Sequence, residues 1–255
     1  MKPEPILPFG VPGTPLSEWQ HSSALRSVTP IDLDVLIPPG RRLVVIAPHP
    51  DDEILACGGL LAAMNHRQQD VQLIAVTDGE GSHPHSTQWP PSRLISQRRE
   101  ESQRALAHLG LEVSRLDYRR LGIADGQVAD SADALVHQLS QGLRADDILL
   151  TTWRHDGHCD HEATGHAAAQ AAANTGATLL EMPVWAWHWA EPNDPRIPWD
   201  QARKFLLSDA QLLRKRQAIS AHISQLQTDS STGQPPVLSP ATLERLLQPF
   251  ELVFM

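Results

Sequence analysis

Apolar residues in this chain fall into short continuous runs separated by longer stretches of helical composition. "RRLVVIA" (41–47), "VQLIAVTDG" (71–79) and "DDILLTTW" (146–153) lack polar alternation, the pattern of strands buried on both faces. "ILACGGLLAAMNHR" (54–67), "SRLISQRREESQRALAHLGL" (92–111), a segment from about 131 to 143, and "HEATGHAAAQAAANTG" (161–176) predict helices, with Gly110 and Gly176 as stop signals. A short strand near 113–118 and another over "ATLLEMPVWAW" (177–187) continue the alternation. Strands alternating with helices predict an α/β domain, a Rossmann-like, mostly parallel sheet with helices on both faces. Residues 1–40, rich in proline and polar side chains, read as an N-terminal extended arm that wraps the domain or stays mobile. The domain then runs over 41–255, with a helix from 208 to about 227 and a tail from about 228 that is partly irregular.

This architecture gives meaning to two polar clusters. In open α/β sheets, ligands bind beyond the carboxyl ends of the strands, where the strand order reverses. "HPDDE" (49–53) follows the first strand, and "RHDGHCDH" (154–161) follows the fourth. A Rossmann order puts those strands side by side, so both clusters are expected to face one crevice. His49 and Asp52, three residues apart across a strand-to-helix turn, could share a metal ion, and His161 could supply a third ligand. That leaves Asp51 free to take a proton from water. His158 could stabilise an oxyanion or protonate a leaving amine, and Asp160 could orient His158 or His161. Each motif alone has a bland reading, such as an Asp that merely caps a helix. Their pairing at the ends of two buried strands favours chemistry. His155 and His166 read as surface or packed residues, Cys159 as a small filler, and His83 and His85 as parts of a lid loop.

Composition narrows the partners. A net charge of −9 argues against nucleic acid, since phosphate neutralisation needs clustered Lys and Arg. Two cysteines, Cys57 and Cys159, imply no disulfide framework and point to a reducing, cytoplasmic setting. The first residues contain no long apolar run of the kind found in a signal peptide or membrane anchor. Trp185, Trp187, Trp189 and Trp199 are concentrated in residues 183–199. They could stack on sugar faces, pack the arm, or form an interface between copies of the chain in a homo-oligomer.

"APHPDDE" (47–53) resembles the hallmark of the PIG-L/LmbE-like zinc-dependent N-deacetylases, and "HCDH" (158–161) resembles their second, His-Pro-Asp-His motif. "TDGEGS" (77–82), "RREESQRALAHLG" (98–110) and "KRQAISAHISQ" (215–225) are similar to further family segments, so the resemblance covers roughly residues 41–226. It implies zinc held by His49, Asp52 and His161, Asp51 as general base, and His158 as stabiliser of the tetrahedral intermediate. Asp160 would tune that histidine, and Arg98 would contact substrate. The substrate implied is a small N-acetylated sugar or glycoconjugate. Cys159 stands where the family usually has proline, and Asp156 and Gly157 stand where some members have a tyrosine. Two rivals are a metal-dependent phosphoesterase, which would usually want a second metal, and a non-catalytic sugar- or nucleotide-binding Rossmann domain. The acids at the first strand-to-helix turn weigh against the second, because a pyrophosphate needs a Gly-rich loop there.

Overall fold

The computed structural model describes residues 13–65, 67 and 70–255. Its sheet has seven strands among the described residues: β1 (Leu43–Ala47), β2 (Val71–Thr77), β3 (Asp117–Ile123), β4 (Ile148–Thr152), β5 (Thr178–Met182), β6 (Ala202–Leu206) and β7 (Phe250–Phe254). Their spatial order is β3-β2-β1-β4-β5-β7-β6. The first five run parallel, and β7 joins antiparallel to both β5 and β6. The expected mostly parallel, Rossmann-like sheet is therefore present, and β1 and β4 are neighbours, with Leu43 opposite Ile148.

Helices cover both faces. In chain order they are α1 (Leu16–His21), α2 (Ser23–Ser27), α3 (Leu33–Leu36), α4 (Asp52–Met64), α5 (Pro91–His108), α6 (Ala132–Gly142), α7 (Cys159–Thr175), α8 (Ala186–Trp189), α9 (Asp209–Ile219), α10 (Ile223–Leu226) and α11 (Pro240–Leu246). Alternate residues of β1 enter separate cores. Leu43 and Val45 pack with Leu60, Leu106 and Ala218 of α4, α5 and α9, while Val44 and Ile46 pack with Leu135, Leu139 and Ala168 of α6 and α7. That two-sided burial is why the strand reads as an unbroken apolar run.

Four features depart from the sequence expectation. The stretch read as an extended arm is, over residues 13–40, a string of short helices whose Trp19 is buried edge-on against Trp187 at 5.0 Å. Its first twelve residues lie outside the described ones. The strand expected over 177–187 ends at Met182, because the carboxylate of Asp156 collects the next backbone N–H groups and turns the chain into α8. The irregular tail contains α11 and β7, and β7 lies inside the sheet rather than at its edge.

The last departure is a break in α4 at Cys57, whose backbone is not helical (φ −133°, ψ 22°). The N–H groups of Gly59 and Leu60, freed by that break, donate to the two carboxylate oxygens of Glu251 on β7 at 2.7 and 2.8 Å. Lys215 of α9 closes the arrangement with a buried 2.7 Å ion pair to Glu251. Among the described residues no helix is long and apolar enough to cross a membrane.

Candidate active site

Where β1 ends, the chain turns over His49 and starts α4. The Asp51 and Asp52 N–H groups donate to the His49 carbonyl at 3.0 and 3.2 Å, and the His49 N–H donates to Asp52 Oδ2 at 3.0 Å. This local turn folds the Asp52 carboxylate back under the His49 ring, with Oδ2 3.1 Å from Nδ1. Across the crevice, the start of α7 brings His161 Nε2 to 3.2 Å from the same oxygen. His161 Nε2 is fully buried yet makes no hydrogen bond, since its approach to Asp52 lies outside hydrogen-bonding geometry. One carboxylate oxygen and two ring nitrogens thus converge, although the residues come from strands separated by about a hundred positions.

The remaining nitrogens of these rings are fixed by carboxylates. His161 Nδ1 lies 2.8 Å from Asp156 Oδ2. Asp156 is itself fully buried and accepts from the N–H groups of Val184, Trp185 and Ala186 at 2.8–3.0 Å. His49 Nε2 lies 3.2 Å from both Asp160 Oδ2 and Asp125 Oδ1. Asp160 in turn accepts from the N–H groups of Gly126 and Val128, and Asp125 from that of Gly81. Asp160, expected to tune His158, does act on that ring, its negative charge working to raise the ring's pKa. The hydrogen-bonding contact of its carboxylate is with His49, and its backbone N–H donates to His158 Nδ1 at 3.2 Å as the cap of α7.

That bond makes Nδ1 of His158 the acceptor, so the proton of the neutral ring sits on Nε2. Burial, with His161 and His49 close by, pushes the His158 pKa down to about 3. The ring stacks on Trp185, centroids 5.9 Å apart. Asp51 is lifted to about 6 by burial, against the pull of the Arg98 guanidinium. Burial alone would lower His161, but Asp52 and Asp156 outweigh it and hold the ring at about 9. Glu53, the last acid of the cluster, is turned inward and raised to about 8 by burial and by Asp51.

Arg98, expected against substrate, lines the cavity and also braces Asp51. Its side chain is 3% exposed and donates to the carbonyls of Gly79 and Pro50 at 3.0 Å each, while Nη2 pairs with Asp51 Oδ2 at 3.0 Å. Gly79, at φ +68°, lets the guanidinium approach; a Cβ there would collide with it. Arg98 therefore meets both the cavity and the Asp51 carboxylate.

The two clusters open into a cavity of about 300 Å³. His49, Asp51, Asp52, Asp125 and His158 line one part of it; Trp185, Trp187, Val237, Leu238 and Leu246 form apolar walls. Of the loop at 80–93, Gly81, Ser82 and Pro84 reach the cavity, whereas His83 bonds Ser82. Asp125 and Asp156 are the site residues that sequence reasoning did not assign. Asp156 carried a signal, an acid five positions before His161, but Asp125 sits in a turn with no motif of its own.

A family model described as PIG-L, GlcNAc-PI de-N-acetylase, matches residues 44–172, just over half of the chain. The chain belongs to that family. Among PIG-L relatives, a probable N-acetyl-alpha-D-glucosaminyl L-malate deacetylase 2 of Bacillus anthracis is 26% identical over 205 residues, 74% of this chain and 83% of that protein. A 2'-N-acetylparomamine deacetylase of Streptomyces fradiae is 29% identical over 158 residues, 54% of each chain. A teicoplanin deacetylase, solved in its zinc inhibited form, superposes with a TM-score of 0.60 at 20% identity, covering 84% of this chain and 97% of that one. At that identity the likeness is one of fold. The PIG-L match spans both polar clusters and ends in α7, short of α8 and the whole C-terminal tail.

Proposed function

We propose that this chain is a zinc-dependent hydrolase that removes an N-acyl group, in the first instance N-acetyl, from an amino sugar or amino-sugar conjugate. The observation that carries the reading is the convergence of His49 Nδ1 and His161 Nε2 on Asp52 Oδ2 at 3.1 and 3.2 Å. Ligands about 2.0–2.2 Å from a tetrahedral zinc stand a little over 3 Å apart, so these spacings fit. The orphaned, buried Nε2 of His161 supports the same conclusion, because it lacks any other partner. Carboxylates behind both rings add the usual support for such ligands. The sugar deacetylases among the relatives support the substrate class.

Zinc held there supplies Lewis acidity, polarising a carbonyl and making water acidic near neutral pH. The chain's own groups do the rest. Asp51, unprotonated above its raised pKa, takes a proton from water as the oxygen bonds to the amide carbon. His158 presents Nε2–H to the oxyanion that develops. When the C–N bond breaks, the amine needs a proton and the acyl group leaves as a carboxylic acid, which gives up its own proton to solvent. A neutral His158 is a hydrogen-bond donor and a poor source of protons, so Asp51 returns the one it collected. Arg98 keeps Asp51 aimed, and Asp160 and Asp125 keep His49 in register. Phosphoester hydrolysis fits less well, since Asp51, Asp52, Asp125 and Asp160 crowd the same end with negative charge.

Elemental analysis of the purified chain beside its His49→Ala/His161→Ala variant tests the reading, followed by amine release from N-acetylated sugars. About one zinc per chain, lost in the variant, is expected. Absence of metal from the native chain even after zinc is supplied overturns it.

A further inference from the structure

Away from the acidic end, the cavity has a cation without a counterion. Arg245 of α11 is 2% exposed and lines the cavity, yet no carboxylate among the described residues pairs with it. Its Nη1 donates to the Thr14 carbonyl at 3.2 Å, its Nη2 to His188 Nδ1 at 2.7 Å and weakly to the Thr242 hydroxyl at 3.4 Å, and its Nε–H has no partner. Glu244, beside it in sequence, is exposed and makes no ion pair with it. An arginine stays charged at any accessible pH, and burying a charge without an opposite one is costly. A structure that keeps such a group beside a ligand cavity gains if the ligand brings the missing charge.

The neighbours are of one kind. Because His188 Nδ1 accepts from Arg245, its neutral ring carries the proton on Nε2 and becomes a second donor lining the cavity. Thr242 adds a hydroxyl to the same lining. The rings step from His158 to Trp185 at 5.9 Å and from Trp185 to His188 at 5.8 Å, so this donor cluster lies two ring contacts from the reacting centre. Trp185 between them offers a flat face for a sugar ring. Trp185, His188, Thr242 and Arg245 all lie beyond the part of the chain that the family model matches.

We propose that Arg245, His188 and Thr242 form an anion subsite, so that the preferred substrate is an N-acylated amino sugar whose aglycone carries a carboxylate or a phosphate. This rests on the proposed N-deacetylase reading for the sugar, while the anion preference rests on Arg245 and the donors beside it. A cationic aminoglycoside would meet a like charge there and is disfavoured.

The test is calorimetric binding of three N-acetylglucosaminides to the zinc-loaded native chain: the carboxymethyl glycoside, its methyl ester, and N-acetylglucosamine 1-phosphate. The carboxylate is expected to bind at least about tenfold more tightly than its ester, equivalent to about 1.4 kcal/mol. Whichever of carboxylate and phosphate binds more tightly identifies the anion. In Arg245→Gln the ratio of acid to ester should fall towards one. Equal binding of acid and ester by the native chain, or binding of neither, overturns the proposal without any variant having to fold. A preference retained by a folded Arg245→Gln also overturns it. Amine release is scored separately: a carboxylate preference without turnover would leave the subsite standing and sink the deacetylase reading.

Discussion

At the scale of single residues, the site is a set of shared atoms. Asp52 Oδ2 serves two histidines, and Arg98 serves two carbonyls and one acid. Arg98→Ala therefore should lower kcat by more than it raises KM, and removing its positive charge should raise the Asp51 pKa further. The acid limb of the pH–rate profile then moves to higher pH, because the base must be unprotonated to act. A raised KM with an unmoved limb would assign Arg98 to direct substrate contact instead. Asp156→Asn replaces an acceptor for four donors with a group that also donates, and should weaken metal affinity by about 10–100-fold. Competition with a chelator measures it; unaltered affinity would limit Asp156 to anchoring the chain before α8. That His49, Asp52 and His161 would meet was legible in the sequence, because all three follow the ends of adjacent strands. The partners of Asp160 were not, since which ring a carboxylate faces depends on the crossing of two distant loops.

At the scale of elements, α4 shows where pattern reading stops. "ILACGGLLAAM" has the composition of one helix, and its break at Cys57 is held by a glutamate 192 residues from Gly59. Glu251 satisfies two backbone donors and pairs with Lys215, with both charged side chains buried. Glu251→Leu leaves Lys215 as an uncompensated buried charge and should cost about 3–5 kcal/mol in denaturant unfolding. Adding Lys215→Met should recover part of that loss, because removing both charges is cheaper than stranding one. A double variant no more stable than the single one would assign the cost to the two uncapped N–H groups instead. Strands β1, β2 and β4 were readable as solid apolar runs, whereas "ARKFL" of β6 is interrupted by charge and shows its strand character only beside β7.

At the scale of the whole molecule, the order β3-β2-β1-β4-β5 follows from alternating runs and right-handed crossovers, and it brought two clusters a hundred residues apart to one crevice. The ends of the chain follow no such rule. Residues 13–40 and the tail depend on what surface the domain leaves open, and they meet at the cavity: Thr14 takes a hydrogen bond from Arg245, and Trp19 packs on Trp187, which lines the wall. Trp19 also donates its indole N–H to the Trp187 carbonyl at 3.0 Å. Trp19→Ala removes a fully buried indole and that bond, and should destabilise the fold by about 3–5 kcal/mol. If the N-terminal helices served only as a cover, the damage would end with stability. Because Trp19 backs a wall residue, the variant should also bind ligands of the cavity more weakly at temperatures where it remains folded. Circular dichroism melting and ligand titration on one preparation separate the two effects. A lowered melting point with unchanged affinity would mean that Trp187 keeps its place without Trp19, leaving the N-terminal helices outside the site's architecture.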